Sequence, residues 1–295
     1  MRTIIAAVFA VGLTVFGGAA TAQETAPAAT FTPEIGMPGK DVIWMPTVDT
    51  LLTAMLDAAA VKPGELVIDL GSGDGRIPIV AARNYGARAR GIEYNPDLVT
   101  LSRENARKAG VAEKVEFIEG DIFKLDWSMA DVLTLYLLPE INLQIREDIL
   151  KMRPGVRVIS NSFTMGDWKP DRVLTVERRN AYFWVVPADV SGKWRLKPAT
   201  GRAITLQIEQ KYQKILSVQA RRGGRALAVA DASLAGPDAT FKLADGAETL
   251  AVRIDGDRMI GSIATADGGS VTVTGKRPSR HWSGGFVRSA QPDRS

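Results

Sequence analysis

The stretch "VIDLGSGDGRI", Val67–Ile77, decides the fold class of this chain. Three glycines, Gly71, Gly73 and Gly75, stand within five positions directly after an apolar run. Glycine lets a ligand approach the backbone, or lets the chain turn where a side chain would clash. Because a helical pattern follows, we expect a strand, a tight loop and a helix N-terminus that favours a negative group. A tight turn without a ligand is the alternative.

Strands and helices alternate along the chain on both sides of this loop. Apolar runs and helical periodicity predict strands over 65–70, 89–93, 115–118, 131–137 and 156–160, and helices over 76–85, 96–110 and 141–152. An earlier helix is predicted to start at Thr47, with Thr47 as its N-cap. Two strands over 172–178 and 181–186 predict an antiparallel pair at one sheet edge. The β-α-β order predicts a parallel sheet with helices on both faces.

Two acidic residues follow the next two strands. Glu93 ends the second strand, 22 positions after Gly71, and Asp121 follows the third strand. A carboxylate at the first place can accept hydrogen bonds from both hydroxyls of a ribose. An acid at the second place, with the next backbone N–H, can bind an adenine edge. The glycine spacing differs from the G-x-G-x-x-G of nicotinamide enzymes, so a nicotinamide oxidoreductase is disfavoured.

Four motifs together resemble a known enzyme superfamily. They are "VIDLGSGDGR", "GIEYNP", "FIEGDIF" and "LTLYLLPEINLQ". They look like the class I, seven-strand S-adenosylmethionine-dependent methyltransferases. "DVIWMPT" and "LYLLPE" resemble a narrower branch, that of the archaeal broad-range and mitochondrial protein lysine methyltransferases and their exported bacterial homologues. The resemblance covers about 40–187 and implies an α/β fold, a Rossmann-like doubly wound seven-strand sheet with a reversed last strand.

The resemblance also implies which residues bind S-adenosylmethionine. Asp69 and the glycine loop would hold its methionine part, Glu93 and Tyr94 its ribose, and Asp121 and Ile122 its adenine. The segment that contains Trp44 would close over it; a packed aromatic anchor is the alternative for Trp44. The full predicted set is Trp44, Thr47, Asp69, Gly71, Ser72, Gly73, Gly75, Glu93, Tyr94, Asp121 and Ile122.

The methyl acceptor is expected at the end of the fourth strand. Tyr136 would orient the acceptor, and Glu140 would accept its proton or hold its ammonium group. The alternatives are a core tyrosine and an ordinary acid in a first helical turn. The segment lacks the Asn/Asp-Pro-Pro-aromatic motif of other amino methyltransferases, which argues against a nucleic-acid base as the substrate. The branch implies a protein lysine instead.

Composition excludes several other chemistries. The 295-residue chain has no cysteine, which excludes a cysteine nucleophile and a thiolate metal site, and we expect no metal. Its single histidine, His281, argues against Ser-His-Asp catalysis and His-rich metal sites. A net charge of +4 does not argue for nucleic-acid binding.

The pattern of the chain predicts five regions. We expect a signal peptide over 1–22, a linker over 23–40, the methyltransferase domain over 41–190, a small β domain over 191–277 and a disordered tail over 278–295. The basic start, apolar run and Ala20-Thr21-Ala22 are typical of a cleaved secretory signal, so we expect a periplasmic protein. An uncleaved anchor is the alternative. No later stretch is long and apolar enough to span a bilayer.

The β domain is predicted from short segments that alternate apolar and polar residues between Gly or Asp turns. We expect an antiparallel sandwich or barrel, and "GKWRL", Gly192–Leu196, resembles the Gly-x-Trp opening of lipocalin-like barrels. It would serve either as a substrate-docking module or as a stabilising appendage.

The predicted function is S-adenosylmethionine-dependent N-methylation of a protein lysine. Export conflicts with a cofactor that is made inside the cell. The alternatives are therefore a non-catalytic S-adenosylmethionine- or nucleotide-binding protein of the envelope, and a small-molecule methyltransferase.

Overall fold

The structure is a computed structural model that describes residues 31–38, 40 and 43–278. The chain divides into two compact units, Met1–Thr32 and Pro33–Ser295. Only 31 and 32 of the first unit are described, without helix or strand, so the account below concerns the second unit. The predicted signal peptide, half of the predicted linker and nearly all of the predicted tail lie outside the described residues. Within the described part of the chain, no helix combines the length and apolar character that a membrane crossing requires.

The first sheet has seven strands and follows the predicted alternation. In chain order its elements are α1 (Asp49–Ala58), β1 (Leu66–Leu70), α2 (Arg76–Tyr85), β2 (Arg88–Glu93), α3 (Pro96–Lys108), β3 (Val115–Glu119), β4 (Val132–Leu135), α4 (Pro139–Lys151), β5 (Arg157–Asn161), β6 (Arg172–Val176) and β7 (Arg179–Val185). The strand order is β3-β2-β1-β4-β5-β7-β6. The first five strands are parallel, and β7 runs antiparallel to both β5 and β6. The predicted fold class and its reversed last strand are confirmed.

Helices cover both faces of this sheet and bury its central strands on both sides. Successive residues of β1 show this: Val67 packs with α1, α2 and α3, whereas Ile68 packs with α4 on the other face. The parallel strands therefore read as continuous apolar runs rather than as alternating ones.

Two predicted element boundaries differ from the structure in ways that shape the site. Helix α1 begins at Asp49, and Thr47 is not its N-cap. The Thr47 hydroxyl accepts a hydrogen bond from Asn161 Nδ2 at 3.0 Å, and that contact keeps the side chain away from the helix. Strand β4 ends at Leu135 and α4 already begins at Pro139. Tyr136 consequently lies beyond the strand, at the edge of the sheet where the predicted site residues gather.

The second sheet is antiparallel and has nine strands. They are β8 (Gly192–Pro198), β9 (Ile204–Lys211), β10 (Lys214–Arg222), β11 (Arg225–Leu227), β12 (Val229–Ala235), β13 (Asp238–Leu243), β14 (Glu248–Asp255), β15 (Arg258–Thr265) and β16 (Ser270–Lys276), with a single 3₁₀ turn, Ala244–Gly246, after β13. Their order is β11-β10-β9-β8-β16-β15-β14-β13-β12.

This second sheet curls until its two ends nearly meet. The end strands β11 and β12 are consecutive in the chain and are separated by Ala228 alone. The enclosed core includes Trp194 and Phe241, both fully buried, and the guanidinium of Arg277 lies 4.6 Å from the centre of the Trp194 ring. The predicted antiparallel β domain is confirmed as a nearly closed sheet. The predicted boundary between 190 and 191 falls in the segment that connects β7 to β8.

Candidate active site

The glycine loop joins β1 to α2 at the carboxyl edge of the parallel strands. The backbone N–H groups of Gly71 and Ser72 both donate to the carbonyl oxygen of Ile92, at 2.9 and 3.1 Å. Gly75 occupies the N-cap position of α2 with a φ of 80°. These bonds anchor the loop to the neighbouring strand, so its inner face forms one wall of a pocket.

Gly73 is the glycine of this loop that lies against Trp44. Its φ is +55°, and a Cβ added to it would stand 2.7 Å from Nε1 of Trp44. The indole of Trp44 is half-buried and lies against the loop, where it also lines the pocket. The segment before α1 is held there because Arg76 Nη1 donates to the carbonyl oxygen of Thr47 at 2.9 Å. The glycine loop and the indole of Trp44 are therefore closely packed at Gly73.

Gly75 has a different place from the one predicted for it. A Cβ at Gly75 would come within 2.5 Å of the Phe117 ring and 2.8 Å of Ser102 Cβ. Gly75 does not line the pocket, whereas Gly71, Ser72 and Gly73 do. Its lack of a side chain serves the packing of α2 on β3 and α3, and the structure does not bring it to the cofactor site.

Glu93 faces the loop from the end of β2. One carboxylate oxygen accepts the N–H of Gly73 at 2.9 Å, and the other accepts the N–H of Asn95 at 2.9 Å. Each oxygen of a carboxylate can accept more than one hydrogen bond. The two backbone donors therefore orient the carboxylate and leave acceptor capacity for a vicinal diol in the pocket.

Asp121 lies after β3 on the far side of the same pocket. It accepts the N–H of Phe123 at 3.0 Å and the ammonium group of Lys40 at 3.0 Å. The backbone hydrogen bond and then Lys40 hold the pKa of Asp121 below its usual range. The Lys40 ammonium also lies 5.0 Å from the centre of the Tyr94 ring. Ile122, predicted with Asp121 for the adenine, and Tyr94, predicted beside the ribose, also line the pocket.

Asp69 lies beneath the pocket and is almost completely buried. Its carboxyl group accepts a hydrogen bond from Thr134 Oγ1 at 2.6 Å. Burial raises the pKa of Asp69 to about 8, and this effect outweighs the opposing hydrogen bond from Thr134, while Glu93 adds to the rise. The carboxyl group is therefore mostly protonated at neutral pH in the ligand-free protein.

An aromatic pair forms the end of the pocket where the acceptor is expected. Tyr136 and Phe163 are half-buried, both line the pocket, and their ring centres are 6.3 Å apart. Glu140 is exposed in the first turn of α4 and is absent from the pocket lining. The structure thus brings Tyr136 to the site and leaves Glu140 outside it.

One pocket of about 220 Å³ collects most of the predicted residues. Those that line it are Trp44, Thr47, Asp69, Gly71, Ser72, Gly73, Glu93, Tyr94, Asp121, Ile122 and Tyr136. Sequence reasoning missed Lys40, Arg76 and Phe163, which also line it. A pattern of strand ends does not reveal Lys40 or Phe163, because neither belongs to a strand or a motif.

The donor set of this pocket fits S-adenosylmethionine. The space beside Gly73 would be filled by any Cβ. The Glu93 carboxylate suits a ribose diol. The end of the pocket at Asp121 combines a hydrogen-bond acceptor with apolar walls. The buried hydroxyl of Ser72 has no hydrogen-bond partner among the described residues.

Comparison with known proteins identifies the family. The family described as "ANTKMT methyltransferase domain" matches residues 69–172. A protein-lysine N-methyltransferase of Saccharolobus islandicus is 34% identical over 151 residues, which cover 49% of this chain and 94% of that enzyme. The chain belongs to the class I S-adenosylmethionine-dependent methyltransferases.

Two further proteins are similar to this methyltransferase over part of its length. The adenine nucleotide translocase lysine N-methyltransferase of Mus musculus is 40% identical over 116 residues, 38% of this chain and about half (49%) of that one. A crystal structure described as an RNA methyltransferase of Salinibacter ruber with S-adenosylhomocysteine is 47% identical and covers 50% of this chain and 96% of that one, with a TM-score of 0.49. S-adenosylmethionine is the cofactor of the methyltransferase.

Replacing Glu93 tests the ribose subsite. We expect Glu93→Ala to weaken binding of S-adenosylhomocysteine by about 1–3 kcal/mol, because a buried diol and two backbone N–H groups lose their acceptor. Isothermal titration of the purified variant measures this. Glu93→Gln, which keeps one acceptor oxygen, should fall between Glu93→Ala and the wild type. Wild-type affinity in Glu93→Ala would place the ribose elsewhere.

Proposed function

We propose that the methyltransferase N-methylates a lysine side chain of a protein. The observation that carries the proposal is the aromatic pair of Tyr136 and Phe163 at the acceptor end of the pocket. Aromatic faces attract the positive charge of an ammonium group and pack against its alkyl stem. The protein-lysine methyltransferases among the relatives support the same acceptor.

The chemistry divides between the cofactor and the chain. When bound, S-adenosylmethionine would supply a methyl group on a positively charged sulfonium sulfur, and that sulfur would leave as a neutral thioether. The chain's residues position the acceptor and exclude water. Met45, Leu138 and Phe163 add apolar surface to the pocket lining. This apolar surface makes the charged form of the bound amine less favourable, which opposes the attraction of the aromatic faces and assists loss of the proton to solvent before transfer.

Transfer of label identifies the acceptor. Purified protein is incubated with methyl-labelled S-adenosylmethionine and a cell-envelope extract, and modified residues are mapped by mass spectrometry. We expect label on protein lysines. Label only in RNA or only in small molecules would overturn the lysine assignment. RNA is included because the similar Salinibacter structure is described as an RNA methyltransferase. Cofactor binding without any transfer would favour the non-catalytic binder.

Substitution of Tyr136 separates acceptor handling from cofactor binding. We expect Tyr136→Phe to slow methyl transfer by roughly 10- to 100-fold, because the hydroxyl no longer orients the acceptor. Its affinity for S-adenosylhomocysteine should stay within about twofold of the wild type, because no atom of the ribose or adenine subsite changes. Single-turnover transfer and titration measure the two effects.

Glu140→Gln is the comparison for that experiment. Glu140 follows Tyr136 by four positions but is exposed in the first turn of α4, so its replacement should leave transfer nearly unchanged. A large loss in Glu140→Gln with full activity in Tyr136→Phe would reverse the two assignments.

Export to the periplasm is the second part of the proposal. Arg2, the apolar run over 4–20 and Ala20-Thr21-Ala22 support a cleaved signal. Cell fractionation of the native protein, with mass spectrometry of its N-terminus, tests this. We expect a periplasmic chain that begins at Gln23. A chain retaining 1–22 in the membrane fraction would favour the uncleaved anchor.

A further inference from the structure

The C-terminal β domain contacts the segment that carries Phe163. We call residues 162–171, between β5 and β6, the acceptor loop, because Phe163 lines the acceptor end of the pocket. Between β9 and β10 stands a two-residue turn, Tyr212 and Gln213, which we call the β9–β10 turn. The side chains of this turn reach the acceptor loop directly.

Gln213 makes three hydrogen bonds to the acceptor loop. Its Oε1 accepts from the indole of Trp168 at 2.8 Å. Its Nε2 donates to the carbonyl oxygen of Lys169 at 2.8 Å and to Asp171 Oδ1 at 2.9 Å. One amide therefore binds three residues of the loop and uses both its donor and its acceptor groups.

Tyr212 binds the same loop through its ring and its hydroxyl. The ring stacks on Trp168, with centres 5.9 Å apart, and the hydroxyl donates to Asp167 Oδ1 at 2.8 Å. Tyr212 has a φ of 53°, in the left-handed region that a tyrosine rarely adopts. Such a conformation persists where surrounding contacts over-determine it. The hydrogen bonds and ring stacking of the turn are contacts of this kind.

The acceptor loop is held from its other side by α4, and one residue joins the two sides. Arg146 Nη1 donates to Asp167 Oδ1 at 2.7 Å and to the carbonyl oxygen of Met165 at 3.0 Å, and its guanidinium lies 5.7 Å from the centre of the Tyr212 ring. Asn142 Nδ2 donates at 3.4 Å to the carbonyl oxygen of Phe163. A continuous series of contacts thus runs from Tyr212 to the pocket.

We propose that Tyr212 and Gln213 are positioning residues of the acceptor site, and that the β domain thereby sets the place of Phe163. The β domain is then a part of the acceptor site rather than a stabilising appendage. Cofactor binding does not depend on this contact, because the β9–β10 turn contributes no residue to the pocket lining. The inference rests on the proposed function only for the identity of the acceptor.

A second contact between the two sheets provides a matched control. Pro237, in the turn between β12 and β13, stands 3.4 Å from where a Cβ of Gly155 would lie, and Ala188 donates its N–H to Gly236 at 2.8 Å. Gly155 precedes β5, whereas the acceptor loop follows β5. The two contacts therefore involve different segments of the chain, one before β5 and one after it.

The first measurement needs no acceptor. Hydrogen–deuterium exchange is compared for the full-length wild type, Tyr212→Phe, Gln213→Ala and Pro237→Ala. We expect exchange in the acceptor loop to rise at least about tenfold in Gln213→Ala, less in Tyr212→Phe, and not at all in Pro237→Ala. Unchanged exchange in Gln213→Ala would overturn the proposal even if lysine methylation is established.

The second measurement separates positioning from stability. For Gln213→Ala we expect the KM for the acceptor protein to rise about fivefold or more, with the Kd for S-adenosylhomocysteine unchanged. Pro237→Ala should lower the thermal midpoint without moving either constant. A Gln213→Ala variant that loses only thermal stability, or that weakens the cofactor equally, would contradict the positioning role. If no protein acceptor exists, the proposed function fails while the exchange result still decides this inference.

Discussion

Gly73→Val is expected to abolish measurable binding of S-adenosylhomocysteine, a loss of at least about 100-fold. A side chain at Gly73 would have to adopt a φ of +55° and would meet Trp44 Nε1 at 2.7 Å. The left-handed conformation costs about 1–2 kcal/mol, and overpacking costs about 1–3 kcal/mol more. The added methyl groups would also enter the space between the loop and the indole. Isothermal titration of the purified variant measures the loss.

Gly110→Val is the matched control for that substitution. Gly110 has a φ of +70° after α3, and a Cβ there would meet no atom within 4 Å. It therefore reproduces the backbone strain without the contact in the pocket. We expect Gly110→Val to unfold more easily but to bind the ligand normally. Equal affinity of Gly73→Val and the wild type for S-adenosylhomocysteine would show that the glycine loop is not part of the cofactor site.

Asp69→Asn is expected to stabilise the ligand-free protein, and more so as the pH rises. Burial raises the pKa of Asp69 to about 8, far above that of the unfolded chain. The folded state therefore holds a proton that the unfolded state loses above about pH 4, and folding stability falls with pH through this window. Asparagine does not ionise and avoids this loss. We expect the free energy of unfolding to exceed that of the wild type by about 2–5 kcal/mol at pH 8.

The sign and the pH dependence distinguish this effect from a general change in stability. Urea unfolding at pH 5, 6, 7 and 8 should show a gain that grows with pH. Asp231→Asn, at an exposed position of β12, is the control and should show no such growth. A gain that is constant across the range would mean that Asp69 ionises normally in the folded protein. We also expect Asp69→Asn to bind the positively charged cofactor more weakly, because no carboxylate can form beside it.

Local signals were sufficient to predict much of the fold. Helix α2 has the predicted bounds, because the glycines on either side of it, Gly75 and Gly86, are both left-handed and end the helical pattern within a residue. Asn95 is of a residue type that favours the N-cap position, and its side chain accepts the N–H of Asp97 at the start of α3. Caps and periodicity act over one or two turns, so a short window of sequence contains the information.

The site was predictable where it follows from topology. Glu93 ends β2 and Asp121 closely follows β3, and the carboxyl ends of parallel strands meet at one edge of the sheet. Their meeting with the glycine loop therefore follows from the order of elements. The functional roles of the individual site residues stay predictions until the substitutions above are measured.

Sequence alone thus determined the sheet, its reversed last strand, the antiparallel β domain and the group of residues around the glycine loop. Tertiary structure alone decided which partner each side chain finds. Thr47 binds Asn161 rather than a helix terminus, Gly75 packs under Phe117, and the β9–β10 turn reaches the acceptor loop. The residues in these contacts are between 42 and 114 positions apart in the chain. For the acceptor loop, the separation is counted from Trp168 or Asp171 to Gln213. Periodicity and capping describe near neighbours in the chain, whereas such distant partners are set only when the packed layers bring the segments together.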